Sequence, residues 1–165
     1  MSPYAIDKLI EETRNLAAAF RESTGTMLPV SGEIARYDVS RHLDLELCED
    51  RNCGYDAVGK GELDGLRVLI KSRVVGEQVK SGHRIGQINP DGGWDLLALS
   101  LMDNDFQATE IYMASREDVL EAIASTNSKR ARRGALSIAK FKIIGERVWT
   151  REMGRETGEL LALAL

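Results

Sequence analysis

The sequence predicts a mixed α/β (α+β) domain. Three patterns point to it. Ile6, Leu9, Ile10, Thr13, Ala17 and Phe20 recur at helical spacing near the N-terminus. Leu66 to Val74 alternates in the manner of a strand, with Leu66, Val68, Ile70 and Val74 on one side and Arg67, Leu69, Lys71 and Arg73 on the other. Trp94 to Met102 (WDLLALSLM) is the most hydrophobic run, and it returns as Ala108 to Ala114 after the turn residues Asp103-Asn104-Asp105, which reads as a hairpin. With 165 residues and 43% apolar residues, the chain is expected to form one domain, 1–165, with a real core.

The elements follow in order. Met1 to Ser23 reads as an amphipathic helix, stopped by Gly25 and Pro29. It forms an N-terminal helical extension over residues 1–30, packed on its own chain or on a second copy. Ser31 to about Leu43 reads as a second helix, because Ala35, Val39 and Leu43 share a face and Glu33 sits in the first turn, where the helix dipole favours a carboxylate. Leu43, Leu45 and Leu47 alternate with Asp44 and Glu46, which fits a short extended segment or a continued helix. A polar turn, Glu49 to Cys53, leads into a short strand that sets Asp56 and Val58 on one face and Tyr55 and Ala57 on the other. The alternating strand follows. Gly76 to Gly93 is a long loop containing His83, Arg84 and Gln87. After the hairpin, Ser115 is a good N-cap for a helix ending near Ser125. Residues 126–165 form a basic extension with an apolar tail, Leu160 to Leu165. Within it, Ala135 to Thr150 reads as weakly structured, or as a short helix plus a strand.

Charge is unevenly spread. The net charge is −4, yet residues 129–151 carry +7 and the remainder −11. Such a basic segment suits a polyanion, and Lys129, Arg130, Arg132 and Arg133 are its densest part. No run of 18 apolar residues is present and the N-terminus lacks a signal pattern, so no membrane partner is expected and a cytoplasmic location is. The only cysteines, Cys48 and Cys53, read as reduced thiols, too few for a zinc site.

Hydrolysis of a phosphodiester needs a divalent metal held by carboxylates, an activated water and a cation for the developing charge. Side chains of adjacent strands on one face lie about 5 Å apart, so Asp56 and Lys71 are placed to meet. Glu33 would add a second carboxylate if its helix packs beside the first strand. Arg73, two positions after Lys71, would face the same groove and suit a phosphate, with Arg84 nearby in sequence.

The order of these pieces, SGEIARYDVSRHL, GYDAVG, RVLIKSR and WDLLALSLMDNDFQATEIYMAS, resembles the PD-(D/E)XK nuclease superfamily, the restriction-endonuclease-like fold, over a core of residues 31–125. The resemblance implies a mixed central β-sheet flanked by helices on both faces, and a Mg²⁺- or Mn²⁺-dependent nuclease acting on DNA. Glu33 would be the helix-borne acid, Asp56 the metal-binding acid and Lys71 the site lysine. The family pattern has Asp, Glu or Gln two residues before the lysine. Here that position is Leu69, which cannot bind a metal. Glu62, Asp64, Glu77 or Glu33 would have to substitute, or the site is inactive. Three expectations follow: a metal-dependent nuclease, a catalytically inactive nucleic-acid-binding module of the same fold, or an assembly protein that forms homodimers through its N-terminal helix or its apolar tail.

Overall fold

The computed structural model describes residues 5–76, 83–125 and 136–156. Helix α1 (Ile6–Thr24) ends where Gly25 turns left-handed at φ 72° and its N–H bonds to the Arg21 carbonyl. Helix α2 (Ser31–His42) has Glu33 in its first turn and Arg41 and His42 in its last, as the helix dipole favours. Asp44, at φ 53°, then reverses the chain into β1 (Glu46–Leu47). The strands β2 (Ala57–Val58), β3 (Arg67–Val74), β4 (Leu96–Met102) and β5 (Ala108–Ser115) follow. After them come α3 (Arg116–Ala124), α4 (Ile138–Ile144), β6 (Glu146–Thr150) and β7 (Gly154–Arg155). Ser115 caps α3 by accepting from the Asp118 N–H, and Ser137 caps α4 through Lys140 in the same way.

The strands form one seven-stranded sheet in the order β1 to β7. The β3–β4 pair is parallel and every other pair antiparallel. The fold is therefore a mixed sheet flanked by helices. β4 lies at its centre and all seven of its residues are buried, which explains its unbroken apolar run. On one side α1 and α2 cover a core containing Ile34, Val39, Val68, Ile70, Ala98, Met102 and Ile111. On the other, α3 and α4 cover Leu97, Leu99, Leu101, Val119, Ile138 and Phe141.

That second core alters the reading of β3. Its Leu69 side is no open cationic surface, because Leu69 packs against the second cluster beside Tyr55 and Val75. Tyr55 and Ala57 likewise part company: Tyr55 joins the second cluster and Ala57 the first. Strict alternation fails there because regular pairing starts only at Ala57. Residues 138–150 resolve into the helix-plus-strand alternative, α4 followed by β6.

Charged side chains tie the layers together. Arg14 of α1 is buried and binds Asp38 of α2 through both terminal nitrogens, at 3.0 and 2.9 Å, and also donates to the Phe106 carbonyl in the β4–β5 turn. With Ala17 in the first core, this fastens α1 to its own chain. At the start of the parallel pair, Asp95 accepts the Arg67 backbone N–H at 2.8 Å and the Arg67 guanidinium at 3.0 and 3.1 Å. The guanidinium holds the Asp95 carboxyl below its usual range.

Candidate functional site

β2 is only two residues long, so its partner β3 outruns it. The Asp56 carboxylate fills the gap: one oxygen accepts the Ile70 backbone N–H at 2.7 Å, where a longer β2 would have offered a carbonyl. Its other oxygen accepts from Arg36 Nε at 3.1 Å, and Arg36 also donates to the Cys48 carbonyl at 2.9 Å. Asp56 thus joins α2, the β1–β2 turn and β3.

Beside it opens a cleft of about 240 Å³, lined by Arg51, Gly54, Tyr55, Asp56, Leu69, Lys71, Gln87, Asn89 and Trp94. Asp56 and Lys71 therefore share one cleft, and Leu69 lines it with them. Half-buried Lys71 has no carboxylate partner among the described residues. The far wall comes from residues 83–93, and this segment is firmly attached. Ile85 and Ile88 are buried, and the Ile85 N–H donates to the Leu136 carbonyl at 2.9 Å. Trp94 Nε1 donates to the Asn89 carbonyl at 2.9 Å, while the Arg116 guanidinium lies over the Trp94 ring at 4.8 Å.

Glu33 does not line this cleft. It is exposed and paired with Arg51, whose hydrogen bond holds the Glu33 carboxyl below its usual range. Arg51 reaches the cleft wall from the polar turn before Cys53. Arg73 also points elsewhere. It donates to the Arg84 carbonyl and lines a separate depression with Val74, His83 and Arg84. Lys129, Arg130, Arg132 and Arg133 lie outside the described residues, as do Glu77 and the apolar tail.

The donor set does not fit a Mg²⁺ or Mn²⁺ ion. Such an ion keeps octahedral oxygen coordination, usually with at least one or two free carboxylates. Both Asp56 oxygens already accept hydrogen bonds, Glu33 is committed to Arg51, and Leu69 offers no donor. Glu62 is paired with Arg155. Among the described residues, no three His, Cys, Asp or Glu side chains come together to hold a metal. Cys48 and Cys53 are free thiols; burial first, then the neighbouring Cys53, pushes the Cys48 thiol up.

Two arginines central to this geometry, Arg36 and Arg51, were not singled out from the sequence. Arg36 follows Glu33 by one helical turn, the spacing of an intrahelical ion pair, and that pattern hides its true partner across the fold. A larger groove, about 590 Å³, lies apart between α1, α2 and the ends of β5 and β6. Its Arg14 and Arg151 are bound to Asp38 and Asp103, and His42 stacks on Trp149 at 4.1 Å. No helix among the described residues is long and apolar enough to cross a membrane. No family model matches the chain, and neither does any curated protein sequence.

Proposed function

We propose that the cleft binds a phosphodiester group of DNA, and that the chain is a nucleic-acid-binding module of nuclease-like architecture without a competent metal centre. One observation carries this reading. Arg36 is balanced by Asp56 and Arg51 by Glu33, while Lys71 has no carboxylate partner among the described residues. A single positive charge, flanked by the amide side chains of Gln87 and Asn89, suits one phosphodiester oxygen pair. Arg51 is exposed and sits at the rim, where it can exchange its carboxylate for a second phosphate. The basic residues Lys129 to Arg133 would extend the contact along the backbone.

Binding of this kind weakens as salt rises, by a slope of about 0.9 per phosphate neutralised. Titration of labelled duplex DNA at several salt concentrations tests it. Lys71→Ala should lower the slope by about one while weakening all sequences alike. Binding that is absent, or indifferent to salt, refutes the reading.

A second reading is the metal-dependent nuclease, and its support is that Asp56, just before β2, and Lys71 of β3 line the same cleft. Incubating DNA with Mg²⁺ or Mn²⁺ separates the two. Cleavage lost in Asp56→Asn and Lys71→Ala favours the nuclease, and intact DNA in every metal favours the binding module. Cleavage acquired only by Leu69→Glu would identify the missing ligand.

A further inference from the structure

Cys48 and Cys53 are the only cysteines of the chain, both thiols are free, and the proposed binding of DNA uses neither. They stand at the two ends of one turn. Cys48 extends the β1–β2 ladder by a step, its N–H donating to the Asp56 carbonyl at 2.9 Å. The chain then doubles back. The Asn52 N–H donates to the Asp50 carboxylate at 2.9 Å, and the Cys53 thiol donates to the Asp50 and Tyr55 carbonyls at 3.1 and 3.2 Å. These bonds return the second sulfur towards the first, and the two side chains lie within hydrogen-bonding reach. Both thiols also act on the Tyr55 hydroxyl, which Cys48 foremost pushes up. Both cysteines are half-buried, so a small molecule can reach them.

We propose that Cys48 and Cys53 form a reversible dithiol–disulfide site, oxidised by a low-molecular-weight disulfide, and that its closure fixes the turn that carries Arg51. The exchange takes two steps. One cysteine, as its thiolate, attacks a sulfur of the small disulfide; a mixed disulfide forms, and one small thiolate leaves and takes up the released proton. The second cysteine attacks the protein sulfur of that mixed disulfide and expels the other small thiolate, which takes the second proton. Two cysteine sulfurs are oxidised and the small disulfide is reduced to two thiols. Burial keeps the proton on Cys48, so Cys53 makes the first attack and Cys48 resolves it. The second step is intramolecular, and the tight turn holds the attacking sulfur beside its target. Arg51 lies between the two cysteines and pairs with Glu33 at the cleft rim. Cross-linking the ends of so short a loop removes its freedom to rearrange, and Arg51 is held with it.

Incubation of the full chain with glutathione disulfide, followed by intact-mass measurement and tryptic mapping, tests the proposal. The wild type should lose both titratable thiols and two hydrogen atoms while carrying no glutathione. Trypsin cuts after Arg51, between the two cysteines, so the peptides 42–51 and 52–60 should stay joined until reduced. Cys48→Ser should instead retain one glutathione on Cys53, because the resolving thiol is gone. In the folded protein, tryptic cutting at Arg51 should slow several-fold on oxidation and recover on reduction. A wild type that keeps both thiols overturns the proposal. So does one that keeps glutathione on either cysteine, or whose disulfide joins two chains. Cutting at Arg51 that is equally fast in both states overturns the fixing of the turn. None of these readouts depends on DNA binding.

Discussion

Two arginine–aspartate pairs hold α2 in the fold, and their surroundings make them different devices. Arg14 and Asp38 meet through two hydrogen bonds, with both side chains only 7% exposed. The side chains of Arg36 and Asp56 meet through one Nε bond, with Nη2 donating to the Asp56 carbonyl at 3.4 Å, and the Asp56 side chain is 23% exposed at the wall of the cleft. The first pair is buried between α1, α2 and the β4–β5 turn, where Arg14 is also held by Glu11 at 3.3 Å and by the Phe106 carbonyl, so its charges are already matched where they border the larger groove. The second opens onto a cleft, so a ligand can compete for its charges. The same two residue types thus serve packing in one place and, on the proposed reading, recognition in the other.

The largest expected effect breaks the buried pair. Asp38→Ala should cost about 3–5 kcal/mol in urea unfolding, because Arg14 is left buried with its main partner gone. Asp56→Asn should cost less, roughly 1–2 kcal/mol, since the amide oxygen still accepts the Ile70 N–H. It should also tighten DNA binding by removing a negative charge from the cleft wall. A larger loss for Asp56→Asn than for Asp38→Ala would overturn the comparison.

Lys71→Ala sharpens the contrast from the other side. It should change stability by no more than about 0.5 kcal/mol, while lowering the salt slope of binding. His42, near the buried pair, gives the pH test. Burial lowers its pKa below the ordinary 6.5, against the pull of Asp38. The unfolded chain therefore takes up this proton more readily than the folded one. The stability from neutral His42 is complete above about pH 6.5 and is lost as pH falls below it, towards the folded pKa. Unfolding midpoints measured across pH 5 to 8 should show this decline, and His42→Gln should flatten it. The smallest effect belongs to Glu33→Ala, expected below about 0.5 kcal/mol because its pair with Arg51 is exposed. A large loss there would mean that Glu33 has a structural role its surface pairing does not explain.

Much of this was legible from local signals. The stop of α1 at Gly25, the Ser115 cap, the β4–β5 hairpin and the order of the elements all follow from backbone preferences that need no distant partner. Lys71 on β3 was legible too, whereas Asp56 stands just before β2, outside the regular pairing, and shares with Lys71 the lining of one cleft. Leu69 was read as a missing metal ligand in an open face. The structure also gives it a packing role beneath a second core built by α4, which arrives some 70 residues later. Arg36 and Arg51 were not legible as the partners of Asp56 and Glu33, since ion pairs between loops and helices leave no periodicity in the chain.

The split between sequence and structure is clearest on Asp56 and its surroundings. By itself the sequence determined the alternating strand that carries Lys71 and a short strand after the polar turn, because a two-residue period and a short polar turn are local properties; Asp56, expected on that short strand, stands one residue before it. It also determined the helix ends and the central apolar strand. Only the tertiary structure decided that the Asp56 carboxylate completes a strand edge and binds Arg36, that Glu33 turns outward to Arg51, and that Lys71 has no carboxylate partner among the described residues. The reason is physical. A charged side chain settles where its desolvation is best repaid, and that depends on every surface brought near it, not on its neighbours along the chain.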